Sequence, residues 1–271
     1  MENAAQFFLT FLCYSFLGWA CECIYCFALD RKWTNRGFLA GPLCPVYGFG
    51  ALLIYYALRP LHGRVIALFL CGMLLTSVLE YLTSLLLEKL FHMSWWDYSN
   101  NKFNLNGRVC LRNSTLFGLL AVALLEWIAP AVNALVALPG PVAVQWTAFA
   151  LWSVLEADLI LTVHAILVLN GKLAQLAQMK KELQTKTAEM RELFKEKIGA
   201  PAEVRIRTEL DAMSARVHAM ESAFRFPTRR LIAAFPNMRS LRDSEAMRRI
   251  RAALRERTAQ RQERRRSDNK K

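Results

Sequence analysis

Residues 113–170 read NSTLFGLLAVALLEWIAPAVNALVALPGPVAVQWTAFALWSVLEADLILTVHAILVLN, and this stretch decides the fold. Its only charges are Glu126, Glu156 and Asp158. A helix that crosses a bilayer needs about 20 predominantly apolar residues. The stretch is long enough for two, and Leu138-Pro139-Gly140-Pro141 breaks it between them. Helices are expected near 114–138 and 142–169.

Working towards the N-terminus, the same pattern repeats. Between Glu2 and Asp30 the only charge is Glu22; between Arg36 and Arg59 there is none; from Arg64 to Glu88 only Glu80 intervenes. These runs predict spans near 4–29, 42–58 and 64–90. Gly41, Pro42 and Pro45 crowd the start of the second, which leaves a re-entrant segment as its alternative. The first run is too long for a cleavable signal, and Glu2 stands where such a signal is basic. Residues 1–171 therefore read as an all-α polytopic transmembrane helical bundle of about five spans.

Working towards the C-terminus, the solvent changes. The chain is 54% hydrophobic yet holds 35 Lys and Arg, with a mean hydropathy of +0.19. Residues 1–171 carry nine basic and nine acidic residues, and residues 172–271 carry 26 and 13, so the whole excess of +13 lies beyond Asn170-Gly171-Lys172. Ile206, Leu210, Met213, Val217, Met220 and Phe224 recur at alternating spacings of four and three, an a/d seam. Leu173, Leu176, Leu183, Met190 and Phe194 form a rougher one, and Gly199-Ala200-Pro201 separates the two. Residues 172–235 are expected as a cytoplasmic helical hairpin, with a dimeric coiled coil as competitor. Residues 236–271 are expected as a largely disordered basic tail that meets anionic lipid. Nucleic acid ranks behind lipid and protein partners, because the Arg-rich end lacks interleaved aromatics.

Basic residues cluster in alternate loops. Loop 29–41 holds Arg31, Lys32 and Arg36, and loop 90–113 holds Lys102, Arg108 and Arg112. Five spans with the N-terminus outside put both loops and the tail in the cytoplasm, at the plasma membrane.

The acids within the apolar runs are the candidate functional residues. An ionised carboxylate at the centre of a span costs roughly 2.5–3.5 kcal/mol on insertion scales. Such groups face a bundle interior, a cavity or a partner. Ser15, Gly18, Glu22 and Tyr25 share one face of the first span; Ser77, Glu80, Ser84 and Glu88 share one face of the third. If the two faces meet, they enclose a polar interior. Glu22, Glu80 and Glu88 are thus candidates for a substrate or ion pathway, with Arg36 and Arg108 as partners from the loops. Hydrogen-bonded acids with a purely structural role are the equal alternative. Asp97, beside Trp95 and Trp96, is expected as a local cap or as a partner of Arg108. Glu126, Glu156 and Asp158 rank lower.

Several motifs stand in order along this bundle. Tyr14-Ser15-Phe16-Leu17-Gly18-Trp19 is followed by Glu22, then Asn35-Arg36-Gly37-Phe38, Gly41-Pro42 and Cys44-Pro45-Val46-Tyr47-Gly48. Glu80-Tyr81, Glu88, Trp95-Trp96-Asp97-Tyr98-Ser99, Phe103-Asn104, Gly107-Arg108 and Cys110-Leu111 complete the series. In these residues the sequence resembles the putative ABC transporter permeases of the type IV, CmpB-like group, most closely over residues 7–130. Ala234-Phe235-Pro236-Asn237-Met238 also resembles the end of that family's tail. The resemblance implies a permease-like membrane protein of unspecified substrate.

A phosphate-cradling G-x-x-x-x-G-K-[ST] motif is absent from these residues. ATP would therefore act only through a separate ATPase subunit, and five spans suggest a homo-oligomer. No catalytic residue or cofactor of its own is expected, and the chain is not read as an enzyme. The alternative is a non-transporting scaffold whose basic tail recruits lipid or a protein. Cys21, Cys23 and Cys26 scatter around a helix without companion ligands, so no metal site is expected.

Overall fold

The structure, a computed structural model, describes residues 4–31, 33–195, 208–209, 211–212, 215, 226–241, 247–248 and 251–252. The chain divides into two compact units: Met1–His164 with Ala233–Met238, and Ala165–Ile232 with Arg239–Lys271.

The first unit is built from helices α1 (Ala4–Asp30), α2 (Pro45–Leu58), α3 (Val65–Phe91), α4 (Leu111–Ala123), α5 (Ala129–Ala137) and the beginning of α6 (Pro141–Lys195). Among the described residues, four helical stretches are long and apolar enough to cross a membrane: Ala4–Ala28, Val65–Phe91, Leu111–Ala137 and Pro141–Glu189. The protein is a helical membrane protein. The segment expected as a span at 42–58 forms only the 14-residue α2. Pro45 pre-sets its first turn, and Arg59-Pro60-Leu61 tightens into a 3₁₀ turn that ends it. At 1.5 Å per residue α2 is about 21 Å long, short of a hydrocarbon core of about 30 Å.

Between α4 and α5 the helix widens into one π turn, Leu124–Ile128. Pro130, two residues beyond it, cannot donate to the carbonyl of Glu126, so the ladder rearranges there. The last turn of α3 ends at His92, whose left-handed backbone (φ 51°) lets its N–H return to the Glu88 carbonyl at 2.8 Å.

Small residues let α3 and α4 approach closely, Gly72 lying against Ala121 and Gly118 against the Phe69 ring. Leu9, Phe11 and Leu12 of α1, Leu52 and Ile54 of α2, Leu68 of α3, Val132 and Val136 of α5, and Val144 and Ala148 of α6 form one buried apolar cluster. Ile66, Leu70 and Leu74 of α3 and Trp146, Phe149 and Trp152 of α6 point outwards, as lipid-facing side chains do.

In the second unit α6 runs without a break through Gly171 to Lys195. Ile166, Leu169, Leu173 and Leu176 are buried on one stripe. Lys186 Nζ pairs with Glu209 Oε2 at 3.1 Å on an exposed surface. The change of unit falls after His164 rather than at 171, and residues 233–238 return to the first unit. The 206–224 seam, most of the second arm of the expected hairpin and most of the basic tail lie outside the described residues.

Candidate functional site

Glu22 stands four residues after Gly18 on α1, hence on the same face. Gly18 is needed there, because a Cβ would overlap the Tyr47 side chain. Tyr47, in the first turn of α2, fills that space and donates its hydroxyl to Glu22 Oε1 at 2.5 Å.

Glu80 of α3 has a second set of partners. Its Oε1 accepts from the Tyr98 hydroxyl at 3.2 Å and from Asn113 Nδ2 at 3.0 Å, and Asn113 Nδ2 also lies 2.9 Å from the Tyr98 oxygen. The other oxygen, Oε2, is buried and has no hydrogen-bond partner among the described residues. Burial first, then the Glu80 carboxylate and its hydrogen bond, then Glu22, push the Tyr98 phenol well above its ordinary range. Tyr98 therefore remains a protonated donor, and the fields of both acids meet at it.

Glu88, two turns further along α3, pairs with Arg108 at 2.7 Å. The Arg108 guanidinium lies 5.5 Å from the centre of the Tyr81 ring.

Loop 92–110 holds Tyr98 and Arg108 in place through its own hydrogen bonds. Asn104–Leu105 pairs antiparallel with Val109–Cys110. Asn106 (φ 53°) and Gly107 (φ 67°) make the turn between them, a backbone that suits an Asn-Gly pair. The Tyr98 N–H donates to the Gly107 carbonyl at 2.8 Å, and Trp96 Nε1 donates to the Arg108 carbonyl at 2.9 Å. Asp97 Oδ1 accepts from Ser99 N at 2.9 Å and Ser99 Oγ at 2.5 Å, an Asx turn that caps the chain ahead of the hairpin.

Loop 31–44 is fixed by a different acid. Asp158 accepts from the backbone N–H of Ala40 at 2.9 Å and of Gly41 at 2.7 Å, one on each oxygen. Trp19 Nε1 donates to Asn35 Oδ1 at 2.6 Å, Asn35 Nδ2 donates to the Ala40 carbonyl at 2.8 Å, and Cys44 N donates to the Ser15 carbonyl at 2.9 Å. Arg36 directs Nε to Cys26 Sγ at 2.8 Å and Nη1 to the Ala234 carbonyl.

The structure thus brings Glu22 and Glu80 into each other's electrostatic reach and joins Glu88 to Arg108. It places Asp97 in a turn and Arg36 against a thiol and a carbonyl. Among the lower-ranked acids, Asp158 secures a loop, and Glu126 does the same on a smaller scale, accepting from Gly63 N at 3.0 Å beside His62 at 3.4 Å. Glu156 is exposed on α6 with no polar partner among the described residues. Reading the sequence missed Tyr47 and Tyr98 as partners of the acids, and missed Asn113 altogether. Its only signal was a side-chain amide at the head of an apolar run.

Carboxylates bonded to phenol and amide side chains can change charge or partner without breaking backbone hydrogen bonds. A family model described as putative ABC-transporter type IV matches residues 9–163, which contain every residue of this cluster. No curated protein and no solved structure matches the chain.

Proposed function

This chain belongs to the family described as putative ABC-transporter type IV, and from that premise we propose that it is the permease-like membrane subunit of a transport system. The observation that carries the reading is the cluster in which Glu22–Tyr47 and Glu80–Tyr98–Asn113 place two carboxylates from separate helices inside an apolar bundle. Such groups are costly to keep in a span, and ion and proton pathways are among the sites that retain them. Glu88 and Arg108 continue the polar line along α3. ATP hydrolysis belongs to a separate subunit in this reading, and the chain works as a homo-oligomer.

We place the N-terminus outside the plasma membrane and the C-terminus in the cytoplasm. Phe38 of loop 31–44 packs on Phe91 and Trp95 at ring distances of 6.1 and 5.3 Å, so loops 31–44 and 92–110 share one end of the bundle. For α3 to begin at the other end, α2 must carry the chain there despite its length. That supports five passages, with both basic loops on one side.

Purification in mild detergent, followed by mass spectrometry of what co-purifies, tests the reading. A stoichiometric P-loop ATPase is the expected result. A homo-oligomer without one removes ABC transport as the mechanism.

A further inference from the structure

The segment Ala233–Met238 is nearly 200 positions from loop 31–44 along the chain, yet it is part of the first unit. Phe235, Pro236, Asn237 and Met238 form a β-turn, closed by Met238 N donating to the Phe235 carbonyl at 3.0 Å, with proline at its second position. The turn is seated at both ends: Ala234 and Met238 are completely buried. The Phe235 ring meets Trp95 edge to face, with ring centres 5.0 Å apart and planes at 84°. Trp95 in turn touches Phe91 and Phe38. The Ala234 carbonyl accepts from the Arg36 guanidinium, whose Nε rests on Cys26. One short turn therefore contacts both loops of the candidate site, at Arg36 and at Trp95.

Those loops deliver the two tyrosines. Loop 31–44 leads directly into the first turn of α2 and Tyr47. Trp95 is three residues from Tyr98. We propose that Ala233–Met238 is an intramolecular strap, with Phe235 as a positioning residue that holds loops 31–44 and 92–110 together and so keeps Tyr47 and Tyr98 on Glu22 and Glu80. Both ends of the strap run into the second unit along the chain. The inference rests on the same cluster as the transport reading, but its test reads structure and not transport, so the two can fail separately.

Cys26 reports on the strap because Arg36, held by Ala234, covers its thiol. The full chain in mild detergent is treated with N-ethylmaleimide, and labelling of each native cysteine is followed by peptide mass spectrometry. The same chain unfolded in denaturant gives the unprotected rate of each cysteine, and Cys13, in the middle of α1, reports on the integrity of the bundle. Phe235→Ala is expected to raise the Cys26 rate by about tenfold or more while Cys13 keeps its original rate, as a local opening would. Phe235→Tyr, which keeps a ring against Trp95, restores protection. Unchanged protection of Cys26 in Phe235→Ala overturns the proposal, since the strap then holds nothing. A parallel rise at Cys13 and Cys26 also overturns it, because Phe235 is then ordinary packing whose loss loosens the whole unit.

Discussion

Two kinds of carboxylate occupy this bundle, and the difference lies in what they face. Asp158 and Glu126 are held chiefly by backbone N–H groups, Ala40 and Gly41 in one case and Gly63 in the other, with the Thr162 hydroxyl at 3.3 Å and His62 at 3.4 Å beside them. A fixed peptide donor only gives, so these sites suit a permanent negative charge and tie a loop to a helix. Glu22 and Glu80 face a phenol, or a phenol and an amide, on side chains that rotate. The first arrangement builds; the second can respond. An acid in a span is thus not a functional signal until its donors are known.

The contrast is sharpened most by Glu80→Gln. The substitution keeps the shape and removes the charge, and is expected to abolish dye-reported proton or cation flux in proteoliposomes that hold the chain together with its ATPase subunit. The melting midpoint should move by no more than about 3 °C, roughly 1 kcal/mol for a chain of this size. Collapse of the fold would instead put Glu80 among the builders. Asp158→Ala should act the other way. It removes two charge-assisted backbone hydrogen bonds and a longer one from Thr162, and should cost about 3 kcal/mol in thermal stability, with flux falling only as folded protein falls.

A smaller effect is expected for Tyr98→Phe, about 1 kcal/mol for one lost hydrogen bond, together with a change in alkaline behaviour. Burial, followed by Glu80, raises the Tyr98 phenol above its usual value. The folded state holds that proton more tightly than the unfolded chain does. Its stabilising contribution is therefore complete below a pH of about 10 and is lost as pH rises beyond it. Melting curves against pH should show a flatter alkaline decline in the phenylalanine variant. The smallest effect belongs to Glu156→Gln, within about 0.5 kcal/mol for the isolated chain. A larger loss confined to the native membrane would reveal a partner on that face.

Much of the bundle was legible because charge-free runs are a one-dimensional signal. The runs around Glu22 and Glu80 and the break at Pro139–Pro141 map directly onto α1, α3 and the α5–α6 junction. The second segment was harder to read. Arg36 to Arg59 is long enough without charge to suggest a span, but Pro45 starts the helix late and Arg59-Pro60 stops it. The acids stood out by their cost, whereas their partners did not. Tyr47 and Tyr98 reach Glu22 and Glu80 because loops fold back, and no periodicity within a helix encodes that return. Asp97 beside Trp95 and Trp96 read as a local cap or a partner of Arg108, and the Asn106-Gly107 turn that orients Tyr98 lay unnoticed beyond it. At Gly171, where the charge composition changes, the helix runs on, because one glycine among strong helix formers leaves it intact.

The π turn at Leu124–Ile128 has a bearing on how this span can be compared with others. A π turn accommodates one residue more than the α geometry, and that residue advances everything beyond it by about 100°. Ahead of it α4 leans on α3; beyond it α5 leans on α1. The span is therefore two screws of different phase joined end to end, and a helical wheel drawn across both mixes their faces. Any ranking of lipid-facing against inward positions must restart its count at Ala129. A single-residue deletion within 124–128 would turn Val132 and Val136 away from the core while leaving Gly118 and Ala121 where they are.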